Sequence, residues 1–550
     1  MAKSRHWTEQ VADRVEQQVR RRKGAGATIV CASGVSPSGP IHLGNLREVM
    51  TVHLVSEELR SRGWNVDHIH SWDDFDRLRK IPAGAPEEFG KYVGNALSDV
   101  PDPWGEYESY AMRYMTLFEQ SIEQIGVRPR YIRQSLAYRA GAYIEQIRIV
   151  MERRFEIFDI LAEYQTLGRR EKPVEERRAE YFPFRVYCEN CGKDETQIKH
   201  YENESLTIHY ACQYCGNQSS FSLRDKVQGK LVWKVDWPMR WKFEGVDFEP
   251  AGEDHSAPGS SATVGQKIIR QIFDGAPPFY VGYAFVGMAG RSKLSSSAGS
   301  NATPASALEI LEPGILRWLY IRRNVGQAFD VDFGQEALRL YDEWDAFVAR
   351  VREGKANEAE QKVYERCLVT SAGPVANSKL RVPFRLLSSA ADITQGNVEQ
   401  ILRIVSMHLE NGASDDALRV ELEPRLSCAI RWALNYLPED ERTHVLAMFD
   451  TATYSTLGED DRRGIQILVE NLDKDWSLAG LTKLVYGVPK LLRGLPLDAP
   501  PDEELKRAQR SFFVALYSLL CGSDTGPRLP TLFLSIGKER ARKLLTPLDG

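Results

Sequence analysis

The sequence predicts an α/β domain built on a parallel sheet, followed by an all-α region. An apolar, strand-like run at 27–33 leads through a turn of small residues into a helix-like run at 46–62, and a second strand-like run follows at 65–71. This order is that of one βαβ unit of a parallel sheet. Residues 360–550 keep helical periodicity without convincing strand alternation, which predicts the all-α region.

Composition fits a large globular protein of the cytoplasm. At 550 residues, of which 43% are apolar and 27% charged, the chain exceeds the length at which one core stops growing. We find no apolar run of 18 residues, and the first ten residues do not resemble a signal peptide, so we expect no membrane partner. The net charge of -5 does not exclude a nucleic-acid partner, because phosphate contacts depend on local clusters of cations.

The turn of the βαβ unit carries the motif Pro37-Ser38-Gly39-Pro40-Ile41-His42-Leu43-Gly44-Asn45. Unpaired amides and the positive end of the helix dipole make such a turn a place for phosphate. His42 and Asn45 add side-chain donors for phosphate oxygens. Taken alone, the motif also fits an ordinary helix start.

A second motif, Lys293-Leu294-Ser295-Ser296-Ser297, lies about 250 residues further on in a Gly/Ser-rich stretch. A lysine on a flexible stretch suits a reaction whose leaving group is pyrophosphate. Alone, this motif also fits a solvated loop. The order, the spacing and the strand–turn–helix setting together predict an ATP site.

Four of the eight cysteines form the pairs Cys188/Cys191 and Cys212/Cys215, with 20 residues between the pairs. This is the spacing of a structural zinc ribbon, in which four thiolates surround Zn²⁺ and leave no open coordination position. The alternative is four reduced, buried thiols. His200 and His209 lie inside the loop and fit surface residues better than ligands.

The remaining segments are assigned by pattern. The second strand ends in Asp73 and Asp74, which places carboxylates at the ligand-binding edge of the sheet. We predict two or three amphipathic helices in 105–165, a charged linker at 166–182, and a strand at 231–237. In that strand, the tryptophans at 233 and 237 would share one face.

With these residues in place, the chain resembles the class I lysyl-tRNA synthetases of bacteria and archaea over nearly its full length. The matching stretches are Ala32–Gly39, Asn45–Glu48, Ser71–Asp74, Leu78–Lys80, Lys234–Trp241, Phe248–Pro250, Asp254–His255, Leu316–Tyr320 and Leu340–Asp345. The resemblance implies five parts: a Rossmann catalytic domain in two halves (1–165 and 231–300), a zinc-ribbon insertion (166–230), a helical connecting segment (301–358) and a helical cage that binds the anticodon (359–550).

The resemblance also implies the reaction and its site. Lysine and ATP, with Mg²⁺, would give lysyl-adenylate and pyrophosphate, and the 2′-hydroxyl of the terminal adenosine of tRNA(Lys) would then accept the lysyl group. The implied catalytic residues are His42, Asn45 and Lys293. The implied ATP contacts are Ser38, Gly39, His42, Gly44, Asn45, Lys293, Ser295 and Ser296. Around lysine we place Gly34, Ser36, Asp73, Asp74, Trp233, Trp237, His255 and Tyr283.

Several of these residues also have a structural interpretation. An Asp at a strand end can cap the next helix, tryptophans can form a core stripe, and His255 can be an ordinary loop residue. Asp73 and Asp74 are the candidate counter-ions for the lysine ammonium.

One position departs from the family. Relatives carry a further lysine shortly after the serines, where this chain has Ala298. A specialised synthetase paralogue and a non-catalytic tRNA-binding paralogue therefore stay open as alternatives, as does a nucleotidylyltransferase that uses no tRNA.

Overall fold

The computed structural model describes residues 5–164, 172–257, 259–288, 302–409, 414–500 and 502–547. The motif at 293–297 lies outside these residues. The chain divides into two compact units: the first comprises Met1–Ala307, Leu316–Val331 and Ala356–Val375, and the second comprises Leu308–Ile315, Asp332–Lys355 and Ala376–Gly550. Among the helices of the described ranges, none combines the length and the apolar character needed to cross a membrane.

The strands, in chain order, are β1 (Ile29–Val35), β2 (Val66–Trp72), β3 (Arg130–Arg133), β4 (Phe184–Val186), β5 (Thr196–Glu202), β6 (Thr207–Cys212), β7 (Gln218–Ser222), β8 (Gly229–Leu231), β9 (Phe248–Gly252), β10 (Phe279–Tyr283), β11 (Val286–Met288), β12 (Phe329–Val331), β13 (Val369–Thr370) and β14 (Gly373–Pro374).

The helices, in chain order, are α1 (Trp7–Arg22), α2 (Leu43–Ser61), α3 (Tyr110–Gln124), α4 (Gln134–Arg139), α5 (Ile144–Glu152), α6 (Arg154–Ala162), α7 (Val174–Ala179), α8 (Trp233–Glu244), α9 (Ser261–Gln271), α10 (Pro304–Ile310), α11 (Pro313–Ile321), α12 (Gln335–Arg352), α13 (Glu358–Leu368), α14 (Phe384–Ile393), α15 (Val398–Leu409), α16 (Asp415–Leu422), α17 (Arg425–Asn435), α18 (Thr451–Thr456), α19 (Glu459–Asn471), α20 (Leu478–Leu492), α21 (Glu503–Cys521), α22 (Leu529–Ile536) and α23 (Lys538–Leu545).

A five-stranded sheet forms the core of the first unit, with the order β10-β9-β1-β2-β3 and parallel pairing throughout. The predicted βαβ unit is confirmed: β1 and β2 pair from Ile29 with Val66 to Val35 with Trp72, and α2 packs against both strands. The chain leaves β1 towards β2 on one side and returns to β9 on the other. The order therefore reverses between β1 and β9, which is where ligands bind in open parallel sheets.

The run at 231–237 is helical beyond its first residues, so the predicted strand is wrong. β8 ends at Leu231 and α8 begins at Trp233. The spacing of four between Trp233 and Trp237 satisfies a helix face as well as a strand face, and Trp241 continues the helical spacing. The tryptophans do share one face, but it is the face of a helix.

The segment 105–165 contains more elements than predicted. It holds α3 to α6 and also β3, the short edge strand that pairs with β2 through Ile69 and Arg130 to Trp72 and Arg133. The four residues of β3 are at least partly exposed and include two arginines, so the sequence lacks the apolar run that marks a buried strand.

The described part of the second unit is built from helices, as the sequence predicts for the C-terminal region. Its core includes the rings of Tyr341 and Phe384, stacked with centroids 3.7 Å apart. Arg425 is buried there with two carboxylates: its Nε lies 2.6 Å from Glu312 and its Nη2 lies 2.8 Å from Asp345. This pairing offsets the cost of burying the guanidinium.

Candidate active site

The turn between β1 and α2 is fixed by the side chains of its own motif. His42 is the N-cap of α2: its Nδ1 accepts a hydrogen bond from the Asn45 amide at 3.3 Å, and Asn45 Oδ1 accepts one from the His42 amide at 3.3 Å. This reciprocal pair satisfies two amides that a helix start would otherwise leave unpaired. The two predicted phosphate ligands are thus held together at the start of the helix.

Gly44 is required by the position of the His42 ring. A Cβ atom at residue 44 would lie 2.8 Å from both Cε1 and Nδ1 of that ring, well inside van der Waals contact. Glycine therefore allows the imidazole to lie over the first turn of α2. This gives the motif's glycine a steric role.

The described residues on either side of the second motif lie beside this turn. The Leu43 amide donates to the carbonyl of Ala302 at 2.9 Å. The Val286 carbonyl in β11 is 3.7 Å from the position of a Cβ on Gly44. The predicted ATP residues Lys293, Ser295 and Ser296 fall between Val286 and Ala302 in the sequence and lie outside the described residues.

Two further predicted ATP residues lie in the same turn. Ser38 is exposed, and its carbonyl accepts a hydrogen bond from the Tyr110 hydroxyl at 3.1 Å. Gly39 is buried. Their contact with ATP stays a prediction.

A cavity of about 90 Å³ opens at the point where the strand order reverses. The sheet contributes residues near the carboxyl ends of three strands: Gly34 of β1, Ser71 of β2, and Pro250 with Ala251 of β9. A cavity of this size suits part of an amino-acid side chain.

Tryptophans of α8 form one wall of the cavity. Trp233 stacks on Trp237 with centroids 5.2 Å apart, and Trp237 contacts Trp241 at 4.8 Å. The Glu249 carboxylate fixes the second and third rings, since it accepts hydrogen bonds from the indole nitrogens of Trp237 at 2.9 Å and Trp241 at 2.6 Å. His255 meets the edge of Trp237 at 5.7 Å.

Glu48 of α2 brings a second carboxylate to the cavity. Its Oε1 accepts a hydrogen bond from the Gly34 amide at 2.8 Å, and its Oε2 accepts one from the Tyr283 hydroxyl at 2.9 Å. Each carboxylate oxygen keeps a lone pair for another donor. Glu48 thus joins β1, α2 and β10 at one point of the cavity.

The electrostatics of the cavity favour a bound cation. Burial raises the pKa of Glu48 to about 8, helped by the nearby carboxylates of Glu249 and Asp73. Burial also raises the pKa of Glu249 to about 6, and it raises the pKa of Asp73 despite the positive charge of Arg240. A positive charge placed among these groups would favour their ionised forms.

Asp73 and Asp74 have different surroundings. Asp73 lines the cavity and lies 2.8 Å from Arg240, which also pairs with Asp236 at 2.7 Å. Asp74 accepts a hydrogen bond from the Ser135 amide at 2.8 Å, in the first turn of α4, and is not a lining residue. Asp74 therefore has the structural role of an Asp that caps a helix, whereas Asp73 does not.

Five of the predicted lysine-site residues surround the cavity directly, and a sixth, Tyr283, reaches it through Glu48. The five are Gly34, Asp73, Trp233, Trp237 and His255. Ser36 is directed elsewhere, with its hydroxyl hydrogen-bonded to Asp76.

The sequence analysis missed Glu48, Arg240 and Glu249. Two of them could have been found from the sequence, because Glu48 and Glu249 are acidic residues within largely apolar elements, the helix α2 and the strand β9.

The four predicted cysteines come together outside this cavity. Their sulfur atoms all lie within 4.8 Å of one another, with Cys188 and Cys215 3.7 Å apart and Cys191 and Cys212 also 3.7 Å apart. Four sulfurs at 2.3 Å from a tetrahedral ion would be separated by about 3.8 Å. The donor set therefore fits a zinc ion, and none of the four lines the cavity.

Local backbone geometry explains how the cysteines meet. Each pair is followed by a glycine in the left-handed region, Gly192 and Gly216, both with φ of 75°. The amides of these glycines donate to the carbonyls of Cys188 and Cys212, which closes two tight turns. The antiparallel sheet β5-β6-β7 carries the second turn, between β6 and β7.

A parallel sheet whose strand order reverses beside a small cavity, with a strand–turn–helix motif at that point, is the arrangement of the Rossmann-type class of α/β proteins. The family model for class I tRNA synthetases (K) matches residues 5–370. The chain belongs to this family.

Similar proteins cover the chain almost completely. It is 44% identical to a lysine–tRNA ligase of Streptomyces coelicolor, over 98% of each chain. It is 33% identical to a lysine–tRNA ligase of Pyrococcus horikoshii, over 98% of this chain and 99% of that one. Among solved structures, a glutamate tRNA ligase from Elizabethkingia meningosepticum matches over 94% of this chain and 98% of that one, with 14% identity and a TM-score of 0.41.

Proposed function

We propose that the protein is a lysine–tRNA ligase. It forms lysyl-adenylate and pyrophosphate from lysine and ATP, and it transfers the lysyl group to the terminal adenosine of tRNA(Lys). The observation that carries this proposal is the half-buried Glu48 carboxylate, held by Gly34 and Tyr283 in a tryptophan-walled cavity next to the phosphate-type turn. The comparisons give the alternatives no support.

We place the lysine side chain in this cavity with its ammonium towards Glu48. Its ε-ammonium has three donors and no acceptor, and Glu48 with the Tyr283 oxygen offers acceptors at one end. The indole faces of Trp233 and Trp237 offer apolar surface for the methylenes. Asp73 and His255 are then the candidates for the α-amino end.

The first step needs two anions close together. A carboxylate oxygen of lysine bonds to the α-phosphorus of ATP, the bond from that phosphorus to the bridging oxygen breaks, and pyrophosphate leaves with the electron pair. The side chains of His42 and Asn45 and the amide of Gly44 are the groups proposed to stabilise the developing phosphate charge. Lys293 is proposed to bind the leaving pyrophosphate, and Mg²⁺ to accompany ATP.

The second step uses the RNA partner. A hydroxyl oxygen of the terminal ribose attacks the lysyl carbonyl, and AMP leaves. We assign recognition of the anticodon to the helical region 359–550. We propose that the enzyme works in the cytoplasm, where tRNA is charged for protein synthesis.

The four-cysteine cluster is proposed to hold a structural zinc. Replacing Cys188 by Ser should lower the bound zinc and the melting temperature, because one of four ligands is lost. Protein that stays folded should still form lysyl-adenylate, since the cluster does not line the cavity. Metal analysis, thermal unfolding and adenylate formation together check this, and Cys521→Ser, outside the cluster, is the control. A folded variant that keeps its zinc and stability would contradict the assignment.

Lysine binding should weaken as the pH falls below about 8. The pKa of Glu48 in the empty cavity is raised to about 8, so at lower pH the group must lose a proton before it can pair with the ammonium. We expect the Kd for lysine to rise by up to about tenfold per pH unit between pH 8 and 6, and to level off above pH 8. Titration calorimetry in buffers of different ionisation enthalpy measures both the Kd and the released proton. A flat profile would remove the proposed contact.

The proposed function is tested by exchange of labelled pyrophosphate into ATP. We expect exchange that depends on lysine, with tRNA present as the family implies, and lysylation of tRNA(Lys) by the same preparation. Ornithine, one methylene shorter, and arginine are matched competitors. Exchange driven equally well by another amino acid would contradict the lysine assignment.

A further inference from the structure

Five charged side chains form a largely buried network beside the cavity. Two are cations, Lys230 at β8 and Arg240 of α8, and three are carboxylates, Asp73, Asp76 and Asp236. Lys230 lies 2.7 Å from Asp76 and 3.6 Å from Asp236. Arg240 lies 2.8 Å from Asp73 and 2.7 Å from Asp236. With all five groups ionised, the network carries one negative charge more than its own cations balance.

Two of the three carboxylates have several partners. Asp236 accepts a hydrogen bond from the Tyr138 hydroxyl in addition to its contacts with both cations. Asp76 accepts hydrogen bonds from Lys230 at 2.7 Å and from the Ser36 hydroxyl. Neither Asp236 nor Asp76 lines the cavity. The excess negative charge is therefore well compensated at these two positions.

The third carboxylate, Asp73, keeps an acceptor for another group. Nη2 of Arg240 lies 2.8 Å from Asp73 Oδ1, but the hydrogen bond of that nitrogen goes to Asp236. Oδ1 is buried and accepts no hydrogen bond within the described residues. Asp73 also lines the cavity, unlike the other two carboxylates. The excess charge and the open acceptor of the network thus coincide at the cavity surface.

The helix α8 explains how Arg240 reaches this place. Trp233, Asp236 and Arg240 are spaced by three and four residues, which puts them on one face of the helix. The guanidinium carbon of Arg240 lies 5.3 Å from the centroid of the Trp233 ring, a cation–π contact. Arg240 therefore contacts two parts of the cavity, the carboxylate of Asp73 and the outer tryptophan of the wall.

The positive charge of Arg240 supports a site for a further cation. Burial raises the pKa of Asp73, and Arg240 opposes that rise more than Lys230 does, while Asp76 and Asp236 add to it. Without the guanidinium, burial and the neighbouring carboxylates would hold Asp73 protonated. A neutral carboxyl group binds an ammonium more weakly than a carboxylate does. Removing Arg240 should therefore weaken the binding of a cation at Asp73, although one like charge is removed.

We propose that Asp73 binds the α-ammonium of lysine and that Arg240 is a positioning residue, which keeps the Asp73 carboxylate ionised and in place. This inference rests on the proposed function, which supplies lysine and places its ε-ammonium at Glu48. It selects Asp73 over His255 for the α-amino end, because a carboxylate is the stronger acceptor for an ammonium. The cavity should then discriminate lysine from an amino acid of the same length that lacks the α-amino group.

The test compares lysine with 6-aminohexanoate, which is lysine without its α-amino group. Titration calorimetry at pH 8 gives the Kd of lysine, and displacement of lysine gives the Kd of 6-aminohexanoate. The ratio of the two Kd values measures what the α-ammonium contributes. We expect the wild-type protein to bind lysine about 10 to 100 times more tightly, as a buried hydrogen bond between charged groups provides. Equal affinities for the two compounds would overturn the proposal.

Two neutral variants locate the contact. Asp73→Asn and Arg240→Gln should each bring the ratio below about threefold, because both remove the charge that holds the α-ammonium. Arg240→Lys restores a cation and should recover part of the ratio. General damage to the cavity would weaken both ligands and leave the ratio unchanged. A wild-type ratio in Asp73→Asn would overturn the assignment of the α-ammonium, and a wild-type ratio in Arg240→Gln would overturn the positioning role.

The double variant Asp73→Asn/Arg240→Gln tests whether Arg240 acts through Asp73. It removes one charge of each sign, so it leaves less unbalanced charge in the interior than Arg240→Gln alone. Its ratio should equal that of Asp73→Asn, since a positioning residue has no effect once its target is lost. A further fall of the ratio in the double variant would overturn the positioning role, also where Arg240→Gln alone does not fold.

Three further variants serve as controls. Arg133→Gln removes an arginine that lies 3.2 Å from Asp74 and does not line the cavity, so both Kd values should stay within about twofold. Glu48→Gln should weaken both ligands and preserve the ratio, because both carry the terminal ammonium. Loss of the ratio in Glu48→Gln would overturn the order of the two ammonium groups. Loss in His255→Ala without loss in Asp73→Asn would assign the α-ammonium to His255.

Lysine binding by the wild-type protein separates the two levels of inference. If it neither binds lysine nor exchanges pyrophosphate with lysine, the proposed function itself fails. If it does both, and the ratio is the same in Asp73→Asn and Arg240→Gln as in the wild type, only the roles of these two residues are wrong.

Discussion

Glu48→Gln is expected to reduce kcat/KM for lysine by about 10²–10³, because it removes the charge that pairs with the ε-ammonium in a desolvated cavity. The glutamine keeps the size of the side chain and can still hydrogen-bond to Gly34 or Tyr283. Folding should therefore change little. Most of the loss should appear in KM, since the contact forms when lysine binds.

The control for this change is Glu58→Gln. Glu58 also lies in α2, but it pairs with Arg62 at 2.8 Å and Arg366 at 2.6 Å and does not line the cavity. Its loss should lower stability and leave the KM for lysine within about twofold. A Glu48→Gln enzyme with the wild-type KM would show that the ammonium binds elsewhere.

His42→Ala and Gly44→Ala should each slow lysyl-adenylate formation by about 10²–10³ with little change in tRNA affinity. In the first variant the imidazole is lost from the turn where phosphate charge develops. In the second, the new methyl group would lie 2.8 Å from the ring and displace it, although the imidazole itself is still present. Single-turnover measurement of adenylate formation at saturating ATP and lysine reports this step.

His6→Ala is the matched control, because His6 caps α1 in a similar way and lies at a different helix start. It should cost about 1 kcal/mol of stability, as a lost cap does, without slowing adenylate formation. If His42→Ala loses only what His6→Ala loses, then His42 is a structural cap. The predicted catalytic role would then be wrong.

The sequence predicts the parts of the fold that depend on local signals. The strand, turn and helix at 27–62 have distinct periodicities, and the parallel pairing of β1 with β2 follows from them. The strand predicted at 231–237 is wrong because two tryptophans four residues apart fit the periodicity of a strand and also that of a helix. The contact that favours the helix comes from a distant part of the sequence, since Glu249 of β9 accepts hydrogen bonds from the indoles of Trp237 and Trp241.

Contacts between residues that are distant in sequence also explain why some residues of the cavity were missed. Glu48 gains its significance from Tyr283, 235 residues away in sequence, and Arg240 from Asp73. No local pattern reports such a meeting. The four cysteines were predictable because each pair carries its own turn signal.

The Ala302 carbonyl beside the start of α2 accepts a hydrogen bond from the Leu43 amide, which is the first amide of that helix. The chain itself therefore occupies one of the donors that a helix start ordinarily offers to an anion. A phosphate group bound at this turn would have to use the other donors of the motif.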